Sequence, residues 1–350
     1  MADRIDHGEN RSPAVNRQWQ VSQLPQDGVP LEAAFALVET EKPSPGDGQF
    51  LVENRCFSIE PAMLPWMMSL TDYMVPQGMG EPMLSWATGE VIVSNHPGFS
   101  VGDRVSGTFG WQSYYVSNGL DINCDVVQKV PEGVSDEVAM NALWISGLTA
   151  FIGLYEVGRP VIGDTVLVSG AAGSVGNLVG QFAKLAGCRV VGIAGSDQKC
   201  AWLRDELGFD AAINYKTEEL IPAIQAACPG GVDIYWDNVG GDMLNNAVGC
   251  LAVGGRVVLC GAISLYTDFN HIPPITNWPI VAGNRATMSG FNVTCHKDKF
   301  AHALGRISLL LKQDKLILAH DVLNGFEQLP VALGRIYAGL NIGKQLVKVK

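Results

Sequence analysis

Residues Val166–Asn177 read V-L-V-S-G-A-A-G-S-V-G-N, an apolar strand that runs straight into a glycine-rich turn and then into a helix. Gly173 lets the backbone approach a pyrophosphate, Gly176 lets the helix pack tightly on the sheet, and the N–H groups of the helix start face an anion. Ala171 stands where the strict G-x-G-x-x-G pattern has its first glycine. Taken alone, such a turn can recruit glycines for shape only. Its surroundings decide, because strand and helix patterns alternate in phase with it: strands Thr165–Ser169, Arg189–Ile193, Ala211–Asn214, Val232–Asp237 and Gly255–Cys260, helices Val175–Ala186, Gln198–Leu207, Glu218–Ala227 and Met243–Leu251. This rhythm specifies an α/β fold, a Rossmann-type doubly wound parallel sheet. Gly170, Ala172, Gly173, Ser174, Val175 and Gly176 are the candidate cofactor contacts of the turn.

Outside this block the text is different. From Arg17 to about Asp121 short strand-like runs (Phe35–Thr40, Gln49–Ser58, Gly89–Ser94, Asp103–Phe109) are divided by glycine and proline at the spacing of an all-β unit. Ser135–Gly158 is one apolar-periodic helical stretch with Ser135 as N-cap and Gly158 as its stop. Lys297–Lys312 and Gln328–Ala338 read as later helices, with short strands around the second. The expected organisation is a polar, mobile tail over 1–14, a dinucleotide-binding domain over 145–312, and a β-rich domain built from 15–144 and 313–350.

Charge narrows the function classes. The chain has 24 Lys and Arg against 35 Asp and Glu, a formal charge of −11 over 350 residues, and no basic stripe, which argues against nucleic acid or an anionic membrane as partner. No apolar run approaches the roughly 18 residues of a membrane span. The amino terminus lacks the apolar core of a signal peptide, and the eight cysteines never come closer than ten residues, so a reducing, cytoplasmic setting is expected. No C-x-x-C, H-x-x-H or Gly-His-Glu occurs, the six histidines are scattered, and no metal site is expected.

Which dinucleotide binds is written at the end of the second strand. An NAD site has an acid there for the ribose 2′-OH, whereas this strand ends Ala194-Gly195-Ser196, with Lys199 one helical turn on. Glycine removes a repelling carboxylate, and the serine hydroxyl and lysine ammonium suit a 2′-phosphate, so NADPH is favoured; Asp197 is the competing reading, a ribose acid displaced by two residues. Without a metal, hydride transfer needs another group to stabilise developing negative charge. Tyr266, five residues past the strand end at Gly261, is the candidate catalytic side chain; the plainer alternative is a loop tyrosine covering apolar surface.

With these residues in view, the chain resembles the zinc-independent medium-chain dehydrogenases/reductases, the group of prostaglandin reductases, 2-alkenal double-bond reductases and curcumin reductase. The resemblance covers nearly everything from Asn16 to Val349, and the phrases that carry it are Gly147-Leu148-Thr149-Ala150, the A-A-G-S-V-G turn, G-S-D-Q-K (195–199), N-Y-K (214–216), D-N-V-G-G (237–241), C-G-A-I-S-x-Y (260–266) and N-I-G-K (341–344). The resemblance implies a GroES-like β-rich domain and NADPH-dependent reduction of the carbon–carbon double bond of α,β-unsaturated ketones or aldehydes. It further implies that Ser196 and Lys199 hold the 2′-phosphate beside Gly195, that Tyr215 lies by the adenosine half and that Asn238 meets the ribose and diphosphate. Cys260, Gly261, Ala262 and Ile263 would line the nicotinamide, with Phe291 and Asn341 closing the cleft. Tyr266 and the nicotinamide ribose hydroxyl would stabilise the enolate. A homodimer joined through about Asn270–Ser289 is implied as well.

One segment departs from the pattern. Where the family commonly reads Asp-Pro-Tyr-Met-Arg, this chain has Glu60-Pro61-Ala62-Met63-Leu64, followed by Pro65-Trp66. Loss of a phenol and a guanidinium implies a more apolar, reshaped pocket, for which Trp66, Met67, Tyr73 and Trp111 are candidate walls. Two other readings stand beside enone reduction: an NADPH quinone oxidoreductase of the same superfamily, and a non-catalytic NADPH-binding protein.

Overall fold

In the computed structural model the residues described are 15–26, 28–68, 70, 73–267 and 271–349. The tail expected over 1–14 lies outside the described residues. Strands are numbered along the chain: β1 (Val15–Val21), β2 (Phe35–Glu41), β3 (Phe50–Ser58), β4 (Trp86–Ser94), β5 (Arg104–Thr108), β6 (Tyr114–Ser117), β7 (Gln128–Lys129), β8 (Thr165–Val168), β9 (Arg189–Ala194), β10 (Ala211–Asn214), β11 (Val232–Asp237), β12 (Leu251–Leu259), β13 (Thr287–Gly290), β14 (His320–Asn324) and β15 (Lys344–Lys348).

The glycine-rich turn sits in a six-stranded sheet of order β10-β9-β8-β11-β12-β13, every neighbouring pair parallel. Alternation along each strand feeds two cores. On β8, Val166 and Val168 point to one face with Leu178 and Phe182 of the helix Ser174–Leu185, and Leu167 points to the other with Ile224 and Val248. β9 and β11 divide the same way, with Val190 and Trp236 on the first face and Val191 and Tyr235 on the second. This is the doubly wound arrangement that the alternating sequence requires. The sixth strand, β13, escaped the sequence reading. Its four residues Thr-Met-Ser-Gly carry no hydrophobic alternation, and it pairs in parallel with β12.

The second sheet, order β14-β15-β3-β4-β5-β7 with β6 also on β3, is antiparallel except for the β14–β15 pair. β3 is its centre, buried along most of its length, and β15 from the far end of the chain pairs with it at Leu346↔Ser58. Both chain ends therefore contribute to one core, in which Phe57, Trp66 and Phe109 lie with Leu333 and Leu346.

The expectation of one helical stretch from Ser135 to Gly158 is corrected. Ser135 caps a helix as read, its Oγ accepting from the Val138 N–H at 3.3 Å, but that helix ends at Met140. Asn141 leaves the helical region (φ −113°, ψ −89°), and a second helix runs over Ile145–Ile152 and continues as a π-helix to Gly158. The turn is tight: a Cβ on Gly147 would lie 1.9 Å from the Ala142 carbonyl oxygen. Periodicity continued through the break because both halves are apolar, but they serve different cores. Met140 belongs to the core of the antiparallel sheet and Ala142 to that of the parallel sheet.

His320 opens β14 in register with Lys344 of β15, its Nε2 buried with no hydrogen-bond partner among the described residues. Burial pulls its pKa below the ordinary histidine value. The unfolded chain takes up a proton near pH 6.5 that the folded chain resists, so this contribution is present above that pH and lost as pH falls through the folded value. Urea midpoints followed from pH 8 to 5 are expected to fall on the acid side, with a shallower fall in His320→Gln.

Candidate active site

β8 lies between β9 and β11, where the strand order reverses direction, and ligands of open parallel sheets collect outside the carboxyl ends of the strands at that point. The chain leaves β8 through Gly170 at φ +55°, a conformation that side chains rarely adopt. The Gly173 N–H closes the turn on the Gly170 carbonyl at 2.9 Å, and a Cβ on Gly176 would lie 2.4 Å from that same oxygen. Gly173 is the N-cap of the helix Ser174–Leu185, and no side chain caps it. Gly170, Ala172, Gly173, Ser174, Val175 and Gly176 thus form one backbone cradle at a helix start, which fits a pyrophosphate. Buried Asn177 fixes the cradle from behind, its amide donating to the Gly173 carbonyl at 2.6 Å. From the far end of the chain, the Gly343 N–H donates to the Ala172 carbonyl at 2.8 Å, which lays the Asn341–Gly343 segment across the turn. Asn341 braces that segment through its amide on the Gly343 carbonyl at 2.9 Å.

The ends of β8 and β11 are locked together by a carboxylate. Asp237 is 1% exposed, and its Oδ1 accepts from Ser169 Oγ (3.1 Å), Tyr235 Oη (2.8 Å), the Val239 N–H (3.1 Å) and the Gly240 N–H (3.0 Å). Burial pushes its pKa above the ordinary aspartate value, against the pull of these donors. Asn238 follows, with its N–H on Ser169 Oγ, its amide donating to the Ser169 carbonyl at 2.7 Å and its Oδ1 accepting from Trp236 Nε1 at 3.0 Å. The side chain expected beside the ribose and diphosphate therefore spends its hydrogen bonds on the strand ends. The sequence reading assigned no role to Ser169 or Asp237; the available signal was a polar residue closing each of two otherwise apolar strands.

At the end of β9, Ser196 caps the helix Asp197–Asp205, its Oγ accepting from the Lys199 N–H at 3.2 Å. The Tyr215 ring, 44% exposed, lies over Gly195, where a Cβ would come within 3.0 Å of it. Lys199 Nζ donates to the Gly339 carbonyl at 2.7 Å, and burial together with the neighbouring Lys216 charge holds its ammonium below the usual lysine value. Asp197, the competing ribose acid, accepts from the Asn214 amide at 2.7 Å and is turned to β10. Lys216 was quoted in the N-Y-K phrase but not singled out; only the folded chain places its charge beside Lys199.

Beyond β12 the chain passes Cys260, Gly261, Ala262 and Ile263, and Tyr266 folds back over them. Its Oη accepts from the Ala262 N–H at 3.2 Å and lies 3.4 Å from the position of a Cβ on Gly261. Tyr266 and Ile263 also pack against the core of the antiparallel sheet, so this loop closes the space between the two sheets. A cavity of about 320 Å³ is lined by Asp237, Cys260, Gly261, Ala262, Tyr266 and Ile272 among others. Burial raises the Tyr266 phenol above the ordinary tyrosine value, and it raises Tyr73 to about 12. Tyr73 packs against the same core as Tyr266, and its oxygen accepts from Trp66 Nε1 at 3.0 Å.

The other expected walls lie deeper. Trp66 is 1% exposed between Tyr73 and Trp86, and Trp111 is fully buried with its ring 4.9 Å from Phe35, so Tyr73 alone of the three is half-buried. Phe291, expected to close the cofactor cleft, is buried against Trp236 and His296 in the core of the parallel sheet. Among the described residues no group of three or more His, Cys, Asp or Glu is arranged to hold a metal ion, and no helix is long and apolar enough to cross a membrane.

Comparison with known proteins adds an independent line. Residues 17–124 match the family model described as the N-terminal domain of oxidoreductase, and residues 174–308 match that described as zinc-binding dehydrogenase. The NADPH-dependent curcumin reductase of Escherichia coli is 32% identical over 95% of this chain and 97% of its own length. The NADP(+)-dependent 2-alkenal reductase of Nicotiana tabacum is 36% identical over 87% of this chain and 88% of its own. The crystal structure of CurA from Vibrio vulnificus in complex with NADPH superposes with a TM-score of 0.88 at 32% identity, covering 95% of this chain and 99% of that one.

Asp237→Ala would strand four donors at the two strand ends and is expected to cost about 3–4 kcal/mol in urea unfolding. A loss below about 1 kcal/mol, the scale of a surface change, would remove the carboxylate from its place as organiser of the site.

Proposed function

The chain belongs to the medium-chain dehydrogenase/reductase family, and from that premise we propose that it reduces the carbon–carbon double bond of α,β-unsaturated ketones or aldehydes. It is an NADP-dependent oxidoreductase, and its cofactor is NADPH. The observation that carries the proposal is the Tyr266 hydroxyl, held over Gly261 and Ala262 in the loop that closes the space between the two sheets. The names of the curcumin and 2-alkenal reductases support the same reading.

The cradle of Gly170–Gly176 would hold the pyrophosphate. Ser196, Lys199 and Lys216 would face the 2′-phosphate, with Tyr215 over Gly195 beside the adenosine. When bound, NADPH would supply the hydride, which on this reading goes to the β-carbon of the substrate. Charge then gathers on the carbonyl oxygen, where the Tyr266 O–H holds a proton against it. A raised phenol pKa keeps Tyr266 protonated at neutral pH, and the Ala262 N–H on its oxygen stabilises charge that develops there as the proton moves. Protonation of the α-carbon, from the tyrosine or from water, completes the reduction. Tyr73, backed by the buried helix Met63–Met67 through Trp66, would wall the substrate side.

The same reading includes a dinucleotide-binding domain over 145–312 inserted into a GroES-like domain of 15–144 and 313–350, a cytoplasmic setting, and a homodimer along the outer edge of the parallel sheet. The strand at that edge is β13, and the helix Trp278–Gly283 that precedes it exposes Trp278. Asn270, the start of the expected segment, lies outside the described residues. A quinone oxidoreductase of the same superfamily is the competing outcome of the test.

Oxidation of NADPH followed with a panel of enones, alkenals and quinones decides between the two. Turnover of an enone or alkenal is expected, and quinone turnover alone or none at all would overturn the proposal. Tyr266→Phe is expected to lower kcat/KM for the enone about 100-fold with NADPH affinity retained. Lys199→Ala removes a charge-assisted contact and is expected to raise KM for NADPH about 10-fold while leaving that for NADH unchanged. An equal effect on both cofactors would exclude a role at the 2′-phosphate.

A further inference from the structure

Two ionisable side chains in the core take no part in the chemistry above. Lys344 is fully buried at the start of β15, and Glu60 is 8% exposed just beyond the end of β3. Lys344 Nζ donates to Glu60 Oε1, which also accepts from Ser58 Oγ at 2.6 Å. Burying an ion pair brings a desolvation cost that apolar residues of similar size avoid, so stability alone is a weak reason for a fold to keep one.

The pair stands between two functional segments. On the Lys344 side, the preceding residue is Gly343, whose N–H is bound to the Ala172 carbonyl in the glycine-rich turn. That strap is confined on its other face, since a Cβ on Gly343 would lie 2.2 Å from the Ala319 carbonyl oxygen, the same oxygen that accepts from the Lys344 N–H at 3.0 Å. On the Glu60 side, the Glu60 carbonyl accepts from the Met63 N–H at 3.1 Å and so starts the buried helix Met63–Met67, while the Pro61 carbonyl accepts from Tyr337 Oη. That helix carries Trp66, which orients Tyr73. Tyr73 packs against the same core as Tyr266. A continuous path of bonded groups thus runs from the cofactor cradle through Gly343, Lys344, Glu60 and Trp66 to Tyr73.

We propose that the Glu60–Lys344 ion pair is a positioning device that registers the strap over the cofactor cradle against the substrate wall. Glu60 and Lys344 touch neither ligand; they act through Gly343 and through the Met63–Met67 helix. The inference rests on the proposed enone reading for its substrate arm only, because its cofactor arm is read by NADPH binding in the absence of any substrate.

The test is Glu60→Gln, which keeps the shape and removes the charge, measured by quenching of intrinsic tryptophan fluorescence with NADPH and by steady-state kinetics. NADPH binding is expected to weaken about 3- to 30-fold, the range of coupling through a bonded network. KM for the enone should rise by a similar factor with kcat at saturation little changed, a split that a loss of folded protein does not produce. Glu60→Asp, which keeps the charge, should recover most of the affinity. If Glu60→Gln does not fold, the double variant Glu60→Leu with Lys344→Met decides, since a well-packed apolar pair can replace a buried ion pair without loss of stability. Wild-type NADPH affinity in a folded Glu60→Gln or double variant would overturn the proposal, as would a loss in Glu60→Asp equal to that in Glu60→Gln. Absence of enone turnover by the wild type would refute the substrate reading and leave the NADPH arm to judge the ion pair.

Discussion

The buried carboxylate of Asp237 is the constraint on which the site depends. A parallel sheet offers no side-chain chemistry of its own where its strands end, and the ends of β8 and β11 would diverge into separate loops without a cross-link. Asp237 gathers a serine hydroxyl from β8, a tyrosine hydroxyl from its own strand and the first backbone N–H groups of the following loop. Four donors on one buried charge fix where Gly170 leaves β8 and where Asn238 and Gly240 turn away from β11. The glycine cradle on one side and the Tyr266 loop on the other inherit their separation from that anchor, since the Cys260 and Gly261 N–H groups both donate to the Asp237 carbonyl.

A second constraint is the pairing of β15 with β3. It returns the carboxyl end of the chain to the amino-terminal sheet and drags the Asn341–Gly343 strap across the helix start that would hold a phosphate. One strand therefore serves the core of the antiparallel sheet and confines the cradle of the parallel one. The break at Asn141 does the corresponding work on the way in, handing the chain from one core to the other within a single turn. The cleft between the sheets follows from these two crossings, and Tyr266, carried by one unit and packed on the other, lies where they meet.

Much of this was legible in the residues. The strand–turn–helix phrase at 166–177 and the alternation after it were enough for the sheet, because period 2 and period 3.6 patterns report local geometry that the chain cannot evade. Tyr266 was legible from its distance past a strand end. Lys216 was not, because two lysines seventeen residues apart become neighbours only when β9 and β10 pair. Trp66 and Trp111 show the reverse limit: an aromatic residue near a site reads the same whether it faces a ligand or, as with Trp111 against Phe35, packs in a core.

The sequence by itself determined the doubly wound sheet, the cradle, the absence of an acid at the end of β9 and hence the preference for NADPH, since each depends on residues close together in the chain. Tertiary structure alone decided the rest: the break at Asn141, the carboxylate lock between β8 and β11, the strap over the cradle and the Glu60–Lys344 pair across 284 residues. Hydrogen bonds and ion pairs of that span leave no local pattern, because their partners are chosen by the packing of whole sheets and not by neighbours in the chain.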